Sequence, residues 1–214
     1  MGKNSVSLEG KGGGLDKPSD WTVQSNRLKG RYDVPKKTPI QTKENLLSAA
    51  AKLITMHGAS HLTLERVALE ANVSKGGLLH HFPTKLELLA GLVGQLALEF
   101  EADINQHLET EPEGRAGRWA RAYIRATFST ALDEAALTNA LAQIINTQPE
   151  LLEPIKKSFE FAATQILSDG LPAPRATAIR MACDGLWFAE TTGMSDLTPQ
   201  LRAALQEELI SWTR

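Results

Sequence analysis

The sequence predicts an all-α protein in which an N-terminal three-helix unit is linked by a long fourth helix to a C-terminal helical bundle. Apolar residues recur at helical spacing after residue 41, and no later stretch alternates as a half-buried strand would. Residues 63–85 have the spacing of two short helices joined by a tight turn. A chain of 214 residues is long enough to bury two cores. We therefore expect a leader at residues 1–37, a head at residues 38–85 and a body at residues 86–214.

The leader is rich in Gly, Ser, Lys and Asp and has no helical or strand period, so we expect it to be disordered. Residues 1–43 hold nine Lys or Arg against four acids, whereas residues 89–214 hold ten against seventeen. The formal net charge of −2 thus conceals a basic front and an acidic rear. A basic arm could touch the minor groove of DNA. We favour the alternative, a solvated tail or an over-long translation start.

The first helix has a clear start and a clear end. Thr38 is placed as the N-cap, Pro39 takes the first helical position, and Gln41 completes a capping box. Gly58 is placed to end the helix. The inward face between these signals is an apolar stripe at helical spacing, formed by Leu46, Leu47, Ala50, Leu53 and Ile54.

Two short helices follow, each with a hydroxyl cap. Thr63 caps the first, which turns Leu64, Val67, Ala68 and Ala71 to one face. Asn72 stands in the turn, because asparagine tolerates the left-handed conformation better than other non-glycine residues. Ser74 caps the second helix, whose inward residues are Leu78 and Phe82 and whose outer side carries Lys75, Gly76, Gly77 and His80.

The outer side of the second short helix has the chemistry of a DNA recognition helix. Its N-terminal amides and dipole favour phosphate, and Lys75 adds a mobile positive charge. Gly76 and Gly77 each cost roughly 1 kcal/mol relative to alanine in a helix, which indicates a steric demand such as a close approach to base edges. The alternative is a turn between two core helices of an ordinary bundle that touches no nucleic acid.

Thr63, the run VALEANVSKGGLLHHF from residue 67, and Lys85 resemble the N-terminal domain of the tetracycline-repressor (TetR) family of one-component transcription regulators. Asn72 replaces the usual turn glycine, and Leu79-His80 replaces the usual aromatic pair. The resemblance implies that double-stranded DNA is contacted by Thr63, Ser74, Lys75, Gly76, Gly77, His80, His81, Thr84 and Lys85. We hypothesise that a histidine close to phosphate, either His80 or His81, would make DNA affinity rise as the pH falls. For His81, a packed residue beside Phe82 is an equal alternative.

The body is predicted to be a series of helices. A long helix begins near residue 86 and ends near residues 109–114, and it carries a stripe from Leu89 to Leu108 that could link head and body as a lever. Asp133, Pro149, Gly170, Pro172, Gly193 and Pro199 divide the rest into helices at about 115–131, 133–146, 149–168, 173–193 and 198–212.

The resemblance implies a small-molecule pocket and a dimer interface in the body. The candidates for binding a hydrophobic effector are aromatic or apolar residues of the middle helices: Trp119, Tyr123, Phe128, Ile144, Phe159 and Phe161. The candidates for the interface of a homodimer lie on the last two helices: Ile179, Cys183, Leu186, Trp187, Leu201, Leu205 and Leu209. For both sets the alternative is an ordinary monomer core.

The function implied is that of a ligand-responsive repressor that binds a palindromic operator as a homodimer and is released by a small hydrophobic effector. The alternative is an effector-independent DNA-binding or protein-interaction module. We expect no cofactor, no metal and no membrane association, and a cytoplasmic location, since one cysteine suits a reducing compartment. Evidence for an enzyme is thin: Gly58 separates His57 from His61, and Asp184 and Glu190 are more easily explained as polar helix residues than as catalytic carboxylates.

Overall fold

The computed structural model describes residues 38–129, 137–138, 140–141 and 148–214. The predicted leader, most of the helix predicted at 133–146, and Ile144 lie outside these residues. The described residues are helical with no strand, as the sequence predicts. Their labelled helices are α1 (Pro39–His57), α2 (Leu64–Glu70), α3 (Lys75–His81), α4 (Lys85–Thr110), α5 (Arg118–Ser129), α6 (Glu153–Leu167), α7 (Ala173–Thr191) and α8 (Pro199–Ser211), with 3₁₀ turns at Ala59–His61 and Pro149–Leu152.

The helix boundaries in the head follow the predicted local signals. The Thr38 hydroxyl accepts a hydrogen bond from the backbone amide of Gln41, and the Gln41 side chain accepts one from the Thr38 amide, so the capping box is confirmed. Gly58 caps the C-terminus of α1 at φ 80°. Asn72 has φ 53°, which confirms its place in the left-handed turn between α2 and α3.

The core of the head extends into the next helix of the chain. Its buried side chains come from α1, α2, α3 and the connecting turns, and they include Leu46, Ala50, Ile54, Leu62, Val67, Leu78 and Phe82. Leu88, Leu89, Leu92 and Val93 of α4 belong to the same cluster, as do Leu141 and Leu151. The first turns of α4 are therefore packed as part of the head.

A second hydrophobic core lies in the body. It begins on the far half of α4 with Ile104 and Leu108 and includes Ala122, Tyr123, Ile124 and Phe128 of α5. Helix α5 packs on α4 at one side and on α7 at another. Consequently α4 contributes to both cores, one at each of its ends.

The predicted dimer residues need a correction, since four of the seven are buried within a single chain. Ile179, Cys183, Leu186 and Leu209 are at most 6% exposed and belong to the body core, so a second copy cannot reach them. Half-buried Trp187 lines a cavity, and half-buried Leu205 packs against the body core. Leu201 is 54% exposed and stays available to a partner. Helix α7 carries apolar residues on two faces, and spacing alone does not tell which face is inner.

Both acidic residues of α7, Asp184 and Glu190, are held in intramolecular ion pairs. Arg180 Nη1 lies 2.5 Å from Asp184 Oδ2, and Arg202 Nε lies 2.7 Å from Glu190 Oε1. Asp184 and Glu190 thus each have a separate arginine partner and do not form a pair of facing carboxylates. Among the described residues, none of the helices is long and apolar enough to cross a membrane.

Candidate DNA-reading surface and body cavity

Lys75 stands at the exposed first turn of α3, where the sequence places the tip of a recognition helix. The Ser74 hydroxyl accepts a hydrogen bond from the Gly77 amide at 3.1 Å and fixes the start of the helix. Lys75 Nζ lies 2.7 Å from Glu65 Oε1 of α2, and both side chains are more than 60% exposed. The hydrogen bond from Lys75 lowers the pKa of the Glu65 carboxyl. Because exposed ion pairs are weak, DNA can replace Glu65 as the partner of Lys75 at small cost.

The two neighbouring glycines of α3 differ in what surrounds them. A Cβ added to Gly76 would meet nothing within 4 Å, so this backbone faces open space. A Cβ added to Gly77 would lie 2.9 Å from Val73 Cγ1 and 3.2 Å from Ser74 Oγ. The steric demand at Gly77 is therefore met inside the head itself, and Gly76 is the position that leaves room for an approaching surface.

The other predicted DNA contacts lie near the starts of helices or at the end of α3. Thr63 caps α2 and Thr84 caps α4, where the Thr84 hydroxyl also donates to the Glu87 carboxylate at 3.0 Å. The Lys85 ammonium donates to the Ala59 carbonyl at 3.4 Å. His80 is exposed and His81 is half-buried, with ring centroids 5.4 Å apart. Contact of each residue with DNA stays a prediction.

A cavity of about 370 Å³ lies inside the body. This volume falls within the range of about 300–1,000 Å³ that is typical of small-molecule sites. Helices α4, α5, α6 and α7 supply most of its wall. The lining consists of Val93, Leu96, Ala97, Glu99, Phe100, Asp103, Tyr123, Thr127, Ser129, Thr138, Leu141, Ile155, Ser158, Phe159, Cys183, Trp187 and Thr191.

Two of the predicted effector residues, Tyr123 and Phe159, line this cavity. Trp119 and Phe161 are not part of the lining; their rings pack edge to face at 5.8 Å, and Phe161 is 51% exposed. Phe128 is also outside the lining, because its ring packs under the Arg202 guanidinium at 4.9 Å. Ile144 lies outside the described residues.

Sequence reasoning missed two aromatic rings of the wall, Phe100 and Trp187. Phe100 belongs to the apolar stripe of α4, and Trp187 was assigned to the dimer interface. The Phe100 ring meets Tyr123 edge to face at 5.5 Å, and the Trp187 ring meets Phe159 in the same way at 5.5 Å. The four rings thus form two mutually supported pairs in the cavity wall.

The Tyr123 hydroxyl and the Cys183 thiol of the cavity wall are held neutral. The Tyr123 hydroxyl donates to Asp184 Oδ1 at 2.6 Å, and burial followed by the nearby Asp184 charge raises the pKa of Tyr123 above its usual range. Burial raises the pKa of the Cys183 thiol to about 12. A thiol held protonated in this way is a poor nucleophile. Tyr123 and Cys183 therefore give this part of the wall little nucleophilic reactivity.

Two family models match the chain: "Bacterial regulatory proteins, tetR family" over residues 46–92, and "Tetracyclin repressor-like, C-terminal domain" over residues 117–214. The transcriptional regulator SrpR of Pseudomonas putida is 30% identical over 71 residues, which make up 33% of this chain and 33% of SrpR. The match spans between a third and about half of the length of the curated relatives.

Solved structures resemble the chain over most of its length. The transcriptional regulator SCO7518 from Streptomyces coelicolor A3(2) is similar with a TM-score of 0.62 and 19% identity, covering 81% of this chain and 98% of that one. The multidrug binding protein EbrR, solved in complex with malachite green, gives a TM-score of 0.61 and 20% identity, covering 80% of this chain and 98% of EbrR. At such identities the likeness shows the shared fold.

Proposed function

Because the chain belongs to the TetR family of DNA-binding transcriptional regulators, we propose that it is a ligand-responsive repressor. In this proposal a homodimer binds a two-fold symmetric operator through the reading surface defined by Thr63, Ser74–Gly77, His80, His81, Thr84 and Lys85. A small apolar effector enters the body cavity and releases the operator. The effector can do so only through its preference for a state that fits DNA poorly.

The observation that carries this proposal is the double role of α4. The helix begins at Lys85, beside the reading surface, and its first turns pack into the head core. Further along, α4 supplies six residues of the cavity wall, from Val93 to Asp103. Val93 belongs to both sets, since it is buried in the head core and lines the cavity. A ligand that shifts α4 therefore also moves the head, because the first turns of α4 are part of the head core.

A homodimer is favoured by the outer faces of α7 and α8. Met181, Phe188 and Leu201 are each 54% exposed, which leaves apolar surface in water on a single chain. Gly185 lies between Met181 and Phe188 on α7, and a Cβ added there would meet nothing within 4 Å. An open glycine inside a helix costs roughly 1 kcal/mol relative to alanine, which is explained if a second helix packs closely there. We assign the dimer face to these residues in place of the buried ones.

An aromatic effector is supported by the cavity wall and by a structural neighbour. EbrR has been solved with malachite green and with ethidium. Four aromatic side chains, Phe100, Tyr123, Phe159 and Trp187, line the cavity of this chain. A hundredfold loss of operator affinity on effector binding requires about 2.7 kcal/mol of coupling, which is within the ordinary range for allosteric proteins.

The test of the DNA-reading role compares two lysines that are alike except in position. Lys75 of α3 and Lys52 of α1 are both about 60% exposed, and each is paired with a glutamate of α2, at 2.7 Å and 2.6 Å. DNA fragments selected by the full-length protein would supply the operator, and fluorescence anisotropy across a salt series would give its affinity. We expect Lys75→Ala to weaken operator binding by about tenfold to a hundredfold, the range for a base-contacting residue.

Lys52→Ala is the control and should change operator affinity by less than about threefold, as for a solvent-exposed pair remote from the DNA. Equal losses for the two variants would contradict the assignment of α3 as the recognition helix. Failure to select any sequence over bulk DNA would contradict the regulator proposal as a whole.

A further inference from the structure

The wall of the body cavity carries charge of one sign. Glu99 and Asp103 both line it, and none of the described lining residues is a lysine or an arginine. Residues 130–147, which adjoin the cavity in sequence, contain Asp133 and Glu134 and no basic residue. This stretch of the chain therefore has no cation to balance the two carboxylates, whatever its conformation.

Within the described part of the chain, the two carboxylates have hydrogen-bond donors but no lysine or arginine partner. Glu99 is exposed and accepts from Gln95 Nε2 at 2.8 Å. The Asp103 side chain is 31% exposed, accepts a hydrogen bond from the Ser129 hydroxyl, and lies 3.7 Å from His107 Nε2. Arg180, the nearby cation on α7, is already paired with Asp184. Asp103 and Glu99 thus place negative charge at the cavity wall, where none of the described lining residues is a lysine or an arginine.

The same wall carries the four aromatic rings of the two edge-to-face pairs. Aromatic faces attract cations through their quadrupole, and a desolvated site strengthens that attraction. Rings from α4, α5, α6 and α7 surround the cavity, together with Cys183 and Thr127. An organic cation would lose hydrating water on entry, and this loss would be offset by contacts with the aromatic faces and by attraction to the two carboxylates. An anion would face both carboxylates with no compensating group.

We propose that the body cavity selects a monovalent organic cation with aromatic substituents, with Asp103 inside and Glu99 at the opening as its counter-charges. The proposal rests on the effector role given above to this cavity and names the chemical class of the effector. Asp103 is the stronger determinant, because it is less exposed and less screened than Glu99. A neutral aromatic molecule of the same size would satisfy the rings and leave the carboxylates unpaired.

The experiment uses three probes that share phenyl groups and differ in charge: tetraphenylphosphonium, tetraphenylborate and neutral triphenylphosphine oxide. Binding to the full-length protein is measured by titration calorimetry without DNA. The buffer is held at pH 8 throughout, so that all probes and variants are compared at one pH. The variants are Asp103→Asn, Glu99→Gln and, as the control, Glu101→Gln, which removes one charge from the same helix outside the cavity lining.

We expect tetraphenylphosphonium to bind at least about a hundredfold more tightly than tetraphenylborate, since two carboxylates change from attraction to repulsion. Asp103→Asn should weaken the cation by about tenfold and Glu99→Gln by less, as expected for a more exposed charge. Glu101→Gln should leave all three affinities within about twofold, because Glu101 does not line the cavity and its charge acts on a bound probe only through screened solvent.

Equal binding of the neutral probe and the cation, unchanged by Asp103→Asn, would overturn the cation inference and leave an apolar effector cavity in place. Tighter binding of tetraphenylborate would overturn it as well. Failure of every probe to bind would overturn both the inference and the effector role of the cavity. The DNA-reading role would survive all three results, since the Lys75 and Lys52 comparison tests it separately.

Discussion

The head and the body are both helical but differ in how their centres are packed. In the head, Leu46 and Leu78 have no exposed surface, and hydroxyl caps fix the start of each helix. In the body, Phe100 and Trp187 stay half-buried because they face a cavity of about 370 Å³. A filled core resists deformation, whereas a cavity wall can change its packing when a ligand enters. The difference separates a rigid reading unit from a unit able to respond.

Helix α4 makes this difference useful to a regulator. Its first turns are part of the filled core, and its middle is part of the cavity wall. Displacing a helix along its length is easier where its neighbours leave space than where they interlock. We therefore expect a ligand in the body to move the head as a unit, without loosening the head's own packing.

The largest expected difference between head and body comes from adding a leucine side chain to the head core and to the wall of the body cavity. Ala50 is fully buried in the head core, and Ala97 lines the body cavity. Ala50→Leu should lower the free energy of unfolding by about 1–3 kcal/mol through overpacking. Ala97→Leu should change it by less than about 0.5 kcal/mol, since the added atoms enter open volume.

Urea denaturation at one fixed protein concentration measures both variants, because the stability of the proposed dimer would depend on concentration. Similar losses for Ala50→Leu and Ala97→Leu would mean that the body is packed as tightly as the head. Ala97→Leu should also weaken binding of the cavity probes, and Ala50→Leu should not.

A smaller difference is expected when alanine replaces two open glycines, Gly76 of α3 and Gly185 of α7. A Cβ at either position would meet nothing within 4 Å in the single chain. Alanine should therefore stabilise the monomeric fold by up to about 1 kcal/mol at each site. The functional costs should differ: Gly76→Ala should weaken operator binding with no change in dimer mass, and Gly185→Ala should weaken dimerisation.

Analytical ultracentrifugation and operator titration separate these two outcomes. Half-buried Gly94 of the long helix is not a suitable control, because it follows Val93 of the cavity wall. The control is exposed Ser48 of α1, replaced by alanine, which belongs to neither proposed surface. If Gly76→Ala weakened dimerisation, Gly76 would not belong to the DNA-reading surface alone. If Gly185→Ala lowered only DNA affinity, Gly185 would not belong to the dimer face. Either result would contradict the proposed surfaces.

The head could be predicted from sequence because its determinants are local. The capping box at Thr38, the caps at Thr63 and Ser74, and the left-handed Asn72 each depend on a few neighbouring residues, and each is confirmed. The long fourth helix is also predicted: it begins at Lys85, one residue before the predicted start near residue 86, and its end at Thr110 falls within the predicted range 109–114. Local signals fix where helices begin and end without knowledge of what packs on them.

Local signals could not predict which helix faces of the body pack in its core, which line the cavity and which stay exposed. Apolar spacing on α7 shows that a face is buried but not by what, so Ile179 and Cys183 were given to a partner although they pack in the same chain. Trp187 and Phe100 line a cavity whose existence depends on four helices at once. The rings of Trp119 and Phe161 pack on each other outside that cavity, and this contact too depends on tertiary packing, which the sequence pattern does not reveal.

The most direct test of the central claim is the affinity of the full-length protein for its operator, with and without a probe that calorimetry shows to saturate the cavity. If α4 couples cavity and head, operator affinity should fall by about tenfold to a hundredfold, and operator DNA should weaken the probe by the same factor. Unchanged operator affinity at full occupancy of the cavity would contradict the account.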